Sequence, residues 1–138
     1  MSGYVTFVMG GREHAGRLVE VREVVRAVGV EPLAGARAPV TGLLTLRGTP
    51  VPVVDLRAAA DPGDTGDVLV LTADSDGILG LAVDKVTAVI GPDDLVPMGA
   101  GEPSPSGLPA YVLEVRRDAK GRPVFVVALR ALAGLVPA

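Results

Sequence analysis

Side chains able to do chemistry are scarce in this chain, and their settings decide what they can do. The sole histidine, His14, falls within an alternating apolar–polar run. A lone imidazole cannot build a zinc site without thiolates or further imidazoles, and the chain has no cysteine. Disulfides, thiolate nucleophiles and iron–sulfur clusters are excluded with it. The serines are Ser2, Ser75, Ser104 and Ser106, and none lies on the shaped strand-to-helix turn that activates a serine nucleophile. His14 is therefore expected as a strand residue.

Asp74-Ser75-Asp76-Gly77 has the alternating oxygens of a calcium loop, yet with Gly77 as sixth position the first ligand becomes Thr72 and the twelfth Val83. An Asp-Gly turn is the better reading. Asp61, Asp64 and Asp67 lie in a Pro/Gly-rich connection and read as a solvated loop. Gly99 and Gly101 make no phosphate loop, because Pro103 and Pro105 prevent the helix that would hold the anion. Sixteen acids offer no pair that spacing singles out for glycoside chemistry. The sequence thus predicts no catalysis, no metal and no cofactor.

What stands out is Leu46-Arg47-Gly48, an arginine between an apolar strand and its turn. Its planar fork of donors suits two roles. It can pair with an acid such as Glu23 and fix neighbouring elements, or it can shape a protein interface. The two roles are compatible.

The elements that position these residues follow from length and punctuation. The 138 residues make one domain, 1–138, with 13 basic and 16 acidic residues for a net charge of −3. Without a basic excess, and with Tyr4, Phe7, Tyr111 and Phe125 as the only aromatics, nucleic acid is an unsuitable partner. No apolar run approaches the roughly 20 residues of a membrane span, and the start resembles no secretory signal. A soluble cytoplasmic protein without membrane insertion is expected.

The 18 glycines and 12 prolines separate short Val/Leu-rich runs, the pattern of a mainly β domain. Strands are predicted at Tyr4–Met9, Glu13–Leu18, Val40–Leu46, Pro50–Asp55, Asp67–Thr72, Gly77–Val83, Thr87–Ile90, Tyr111–Arg116 and Pro123–Ala128. Tight turns are predicted at Gly10-Gly11, Asp76-Gly77 and Lys120-Gly121. Val21, Val24, Val25 and Val28 have helical spacing, so Val19–Val28 is predicted as a short helix, although its β-branched content also permits a strand. A second short helix is predicted at Leu129–Leu135, ended near Gly134 and Pro137.

The chain also repeats itself. Leu18–Val24 resembles Gly80–Val86 at an offset of 62, and Gly48–Arg57 resembles Gly121–Arg130 at an offset of 73. The longer connection of the second copy is Gly99–Pro109. Copies at roughly 4–60 and 67–135 suggest two small five-stranded barrels packed side by side.

Three segments carry a family resemblance across about Tyr4 to Leu135. Gly42-Leu43-Leu44-Thr45-Leu46-Arg47-Gly48-Thr49-Pro50-Val51-Pro52-Val53-Val54-Asp55-Leu56 resembles the G-x-x-N-L-R-G-x-x-x-P-V-x-D-L signature of the CheW family of chemotaxis adaptors. Val21-Arg22-Glu23-Val24 resembles its V-x-E-V/I helix, and Gly80–Val86 its G-x-x-V-D-x-V strand. The resemblance implies two intertwined five-stranded SH3-like barrel subdomains with short helices. It implies a non-catalytic adaptor at receptor arrays beneath the inner membrane. The partners it implies are the regulatory domain of a CheA-type histidine kinase and the cytoplasmic tip of a chemoreceptor. By position, Val21, Glu23, Val24, Gly42, Arg47, Gly48, Val86 and Val89 are expected at those contacts or directly supporting them. Thr45 departs from the signature, as do His14-Ala15-Gly16 and Ala128 from the family's usual residues. An adaptor of pilus motility or of a developmental pathway fits the same features. A small two-barrel ligand-binding module is the alternative of a different class.

Overall fold

The computed structural model describes residues 2–32, 35, 40–57, 66–72, 77–98 and 107–135. The Asp74–Asp76 part of the predicted turn, Asp61, Asp64, Ser75, Ser104, Ser106 and most of the Gly99–Pro109 connection lie outside them.

Among the described residues twelve strands form in chain order: β1 Tyr4–Met9, β2 Arg12–Arg17, β3 Val21–Arg26, β4 Glu31–Pro32, β5 Val40–Leu46, β6 Thr49–Asp55, β7 Asp67–Thr72, β8 Ile78–Val83, β9 Lys85–Ile90, β10 Val96–Pro97, β11 Val112–Arg117 and β12 Pro123–Val127. A 3-10 turn at Leu18–Glu20 precedes β3, and a 3-10 helix at Leu129–Leu135 follows β12. The β1–β2 hairpin closes through Gly10 and Gly11 at φ 63° and 79°, a type I′ turn that matches the strand twist.

The segment predicted as a helix at Val19–Val28 is instead β3. Its burial alternates, with Val21, Glu23 and Val25 turned inward and Arg22, Val24 and Arg26 outward. A helix would have gathered Val21, Val24, Val25 and Val28 on one buried stripe, yet Val24 and Val28 are exposed. The β-branched residues side with the strand, where antiparallel pairing to β7 satisfies the backbone. Asp67, expected in a solvated loop, opens β7 and accepts the Val86 N–H at 2.8 Å.

The strands make two six-stranded sheets, ordered β10-β11-β12-β2-β1-β9 and β4-β5-β6-β8-β7-β3. Exchanging each strand of the first half for the one numbered six higher, and each of the second half for the one numbered six lower, turns one order into the other. The halves are not side by side, as the repeat alone suggested, but intertwined, as the family resemblance implied. Each sheet takes two strands from one half and four from the other, joined by parallel pairs β12–β2 and β6–β8. The sixth strands, beyond the expected five, are the two-residue β4 and β10. Each sheet curls over a core of its own, Leu44, Val51, Val53, Val68 and Val70 in one and Ala15, Leu95, Val124 and Val126 in the other. A larger core between the sheets holds Val5, Phe7, Leu69, Leu71, Leu79, Leu81, Val127 and Leu129.

Candidate functional site

Arg47 occupies the first central position of the β5–β6 hairpin, whose register pairs Leu46 with Thr49. It holds φ 47° and Gly48 φ 82°, so this is a second type I′ turn. Among the described residues Arg47 is the only non-glycine in this left-handed region, where a β-carbon is strained. The turn projects the guanidinium onto β3. Arg47 Nη2 donates to Glu23 Oε1 at 2.6 Å and Nη1 to Oε2 at 3.3 Å, a forked pair. The arginine's hydrogen bond holds the Glu23 carboxyl below its usual range, and Glu23 in turn raises Arg47. The ion pair foreseen from sequence therefore forms, fastening a hairpin end to a strand instead of to a helix.

Val21 and Val24 flank Glu23 on β3, the terminal strand of its sheet. Val21 packs partly against the central core while Val24 is 43% exposed. A bulge at Arg22 interrupts the pairing with β7, and bulged, charged edges resist indiscriminate strand addition. Gly42 serves backbone packing, since a β-carbon there would meet the Glu31 carbonyl oxygen of β4 at 2.6 Å. Val86 and Val89 belong to the other sheet, on its terminal strand β9. Val86 packs partly on the central core and Val89 is 64% exposed. Beside them Thr87 bonds the Thr6 hydroxyl at 2.6 Å and donates to Glu13 of β2 at 2.8 Å. The expected residues thus fall into two groups, one around the Arg47–Glu23 pair and one on β9.

Sequence reading missed an ionic node between the sheets. Arg57 Nη2 donates to Asp55 Oδ2 at 2.8 Å, Nε to Asp55 Oδ1 at 3.0 Å and Nη1 to Asp84 Oδ1 at 2.7 Å. Asp84 also accepts the Gly11 N–H at 3.3 Å, and its own N–H donates to Val8 O at 2.8 Å. These bonds tie the end of β6 and the β8–β9 corner to the β1–β2 hairpin. Asp55 raises the Arg57 pKa most. Burial alone would raise Asp84, but Arg57 and the Gly11 and Gly10 backbone N–H groups outweigh it and hold the carboxyl below its usual range. The signal was present in Asp55-Leu56-Arg57 and in the aspartate of Gly80–Val86; spacing alone did not join them.

His14 lies in β2 as expected, buried between Phe7 and Phe125 with ring centroids 5.7 and 5.5 Å away. Among the described residues no group of three or more His, Asp or Glu could hold a metal ion, and no helix is long and apolar enough to cross a membrane.

Exposed valines thus lie on two bulged terminal strands of a mainly β fold, and a forked ion pair fixes one of those strands. The chain belongs to the CheW-like domain family, whose model matches residues 3–136. This is a family of non-catalytic scaffold and adaptor proteins of chemotaxis signalling. The fold is similar to the crystal structure of the scaffolding protein TtCheW from Thermoanaerobacter tengcongensis, with a TM-score of 0.72 and 20% sequence identity over 95% of this chain and 91% of that one. No curated protein matches by sequence.

Proposed function

We propose that this chain couples chemoreceptors to a CheA-type histidine kinase, working in the cytoplasm at receptor arrays. The observation that carries the reading is the Arg47–Glu23 pair set beside exposed Val24 on a terminal strand. A rigid charged corner next to a small apolar edge suits a shallow contact with a helical hairpin or a partner sheet. Val89 on β9 offers a second apolar edge on the other sheet, so two partners can be held at once. Each contact is at the small end of specific interfaces, near or below ~1,200 Å² in total. Assembly then depends on several weak contacts acting together.

Arg47→Ala tests the reading in titrations with a CheA regulatory-domain fragment and a receptor-tip fragment, alongside a melting curve. The variant is expected to stay folded, because the Arg47 side chain is 66% exposed and an exposed pair adds little to stability. Binding to at least one fragment is expected to weaken about tenfold, the scale of an interfacial arginine. Unchanged binding of both by a folded variant removes Arg47 from the contact, and unfolding assigns it to the fold alone.

A further inference from the structure

The repeat supplies an internal comparison for the face that each sheet turns toward the central core. In one sheet β8 places Leu79 beside Leu71 of β7, and the 3-10 helix after β12 lays Leu129 and Leu132 over them. All four are buried, so this end of the interface is closed with hydrocarbon. In the other sheet the equivalent of Leu79 is His14, beside Phe7 of β1 and Phe125 of β12. The segment after β6 begins Leu56-Arg57, matching Leu129-Arg130. Here a cavity of about 560 Å³ opens, walled by Met9, Leu56, Leu108, Tyr111 and Phe125 with Arg12 and His14. That size is within the ~300–1,000 Å³ typical of small-molecule sites.

Its polar groups define what it takes. His14 is 7% exposed, and its Nδ1 lies 2.8 Å from the Arg12 carbonyl oxygen. A carbonyl only accepts, so Nδ1 carries the hydrogen. Desolvation by burial keeps the ring neutral, leaving Nε2 as an acceptor. Nε2 has no hydrogen-bond partner among the described residues, and none of their fully buried side-chain polar atoms is unpaired; the nitrogen is therefore open to the cavity. A leucine, as in the other half, would cost no such lone acceptor. Arg57 is fully engaged by Asp55 and Asp84, whereas Arg12 forms no ion pair among the described residues.

We propose that this cavity binds a small planar aromatic carboxylate carrying an N–H or O–H on its ring. The donor reaches His14 Nε2, the ring packs between Phe125, Tyr111 and the aliphatic wall, and the carboxylate pairs with Arg12. The reading concerns neither edge strand, and its test needs no kinase or receptor.

The probe is indole-3-carboxylate, titrated into the full chain labelled with ¹⁵N, with amide shifts as the readout. Saturable shifts at Gly10, Arg12, His14, Val112 and Phe125 are expected at micromolar to millimolar ligand. The 1-methyl analogue, which has the same ring and no donor, is expected to bind at least tenfold more weakly. Arg12→Gln should weaken both ligands alike. His14→Leu, which installs the residue of the other half, should bring the two ligands to the same affinity. Absence of saturable shifts at millimolar probe, shifts confined to other surfaces, or equal affinities of the two ligands for the unaltered chain would overturn the proposal. The ligand pair tests the hydrogen bond without any substitution, so a His14→Leu chain that failed to fold would leave the test intact.

Discussion

Arg57→Met tests whether the ionic node between the sheets holds them in place. Methionine keeps the apolar part of the side chain, so the loss is the guanidinium and its three bonds to carboxylates. The Arg57 and Asp55 side chains are 9% and 10% exposed, and removing one member of a buried pair typically costs about 3–5 kcal/mol because a charge stays behind without its counter-ion. Two features lower that figure here. Asp55 Oδ1 still accepts the residue 57 backbone N–H at 2.9 Å, and the Asp84 side chain is 36% exposed, so water screens it. The expected destabilisation is about 2–4 kcal/mol. At about 3–5 °C per kcal/mol for a chain of this size, the melting temperature falls by roughly 6–20 °C at neutral pH.

The sign with pH is fixed by Asp84, whose carboxyl titrates below its usual range in the folded chain. Its contribution is present above the unfolded pKa and is lost as pH falls through the lower folded value. The gap between Arg57→Met and the unaltered chain should therefore be widest near neutrality and narrow in acid below the ordinary carboxylate range. Adding Asp55→Asn removes the stranded charge, so the double variant should recover part of the loss. A loss under about 1 kcal/mol in urea titration, or a double variant no more stable than the single one, would refute this account of the node.

Two further outcomes follow from the central core. Gly16→Ala would drive a β-carbon into Leu129 Cδ1, so it should destabilise by about 1–3 kcal/mol, with the cost reduced when Leu129→Ala is already present; strict additivity in urea titrations counts against the contact. Burial lowers the His14 pKa from 6.5, against Glu13 and Asp84, which raise it. The unfolded chain therefore binds the proton more readily, and stability should decline as pH falls from about 6.5 through the folded value. His14→Leu should flatten that part of a melting-temperature profile, and an identical slope in the variant would remove the imidazole from it.

The strands whose ends were legible to the residue, β1, β5 and β7, are those with several apolar residues between turn-forming neighbours. β3 misled because four valines fit a period of 3.6 nearly as well as one of 2, and only pairing with β7 decides between them. β4 and β10 have two residues each and no periodicity; they exist because Gly42 lets Glu31 approach and because Val96 and Pro97 meet the far end of β11. Strand exchange between the halves was implied by the family resemblance but was beyond the reach of spacing and periodicity, for another reason. Similar copies offer each strand two chemically equivalent neighbours, so the likeness that reveals a repeat conceals which copy completes which sheet.

The same limit governed the site. The Arg47–Glu23 pair could be anticipated because a turn arginine and a nearby acid were named by one set of motifs. Arg57 and Asp84 lie 27 residues apart, and they meet only because the parallel pairing of β6 with β8 carries Asp55 alongside Ala82. In the second half Ala128 replaces that aspartate, and the Arg130 backbone N–H turns to Glu20 at 3.2 Å. One junction between the sheets is therefore ionic and lies beside an open cavity, while the other is sealed by Leu129 and Leu132. If the repeat served the fold alone, either junction would suffice in both places. The departure from symmetry coincides with His14, Arg12 and Arg57 lining the same cavity.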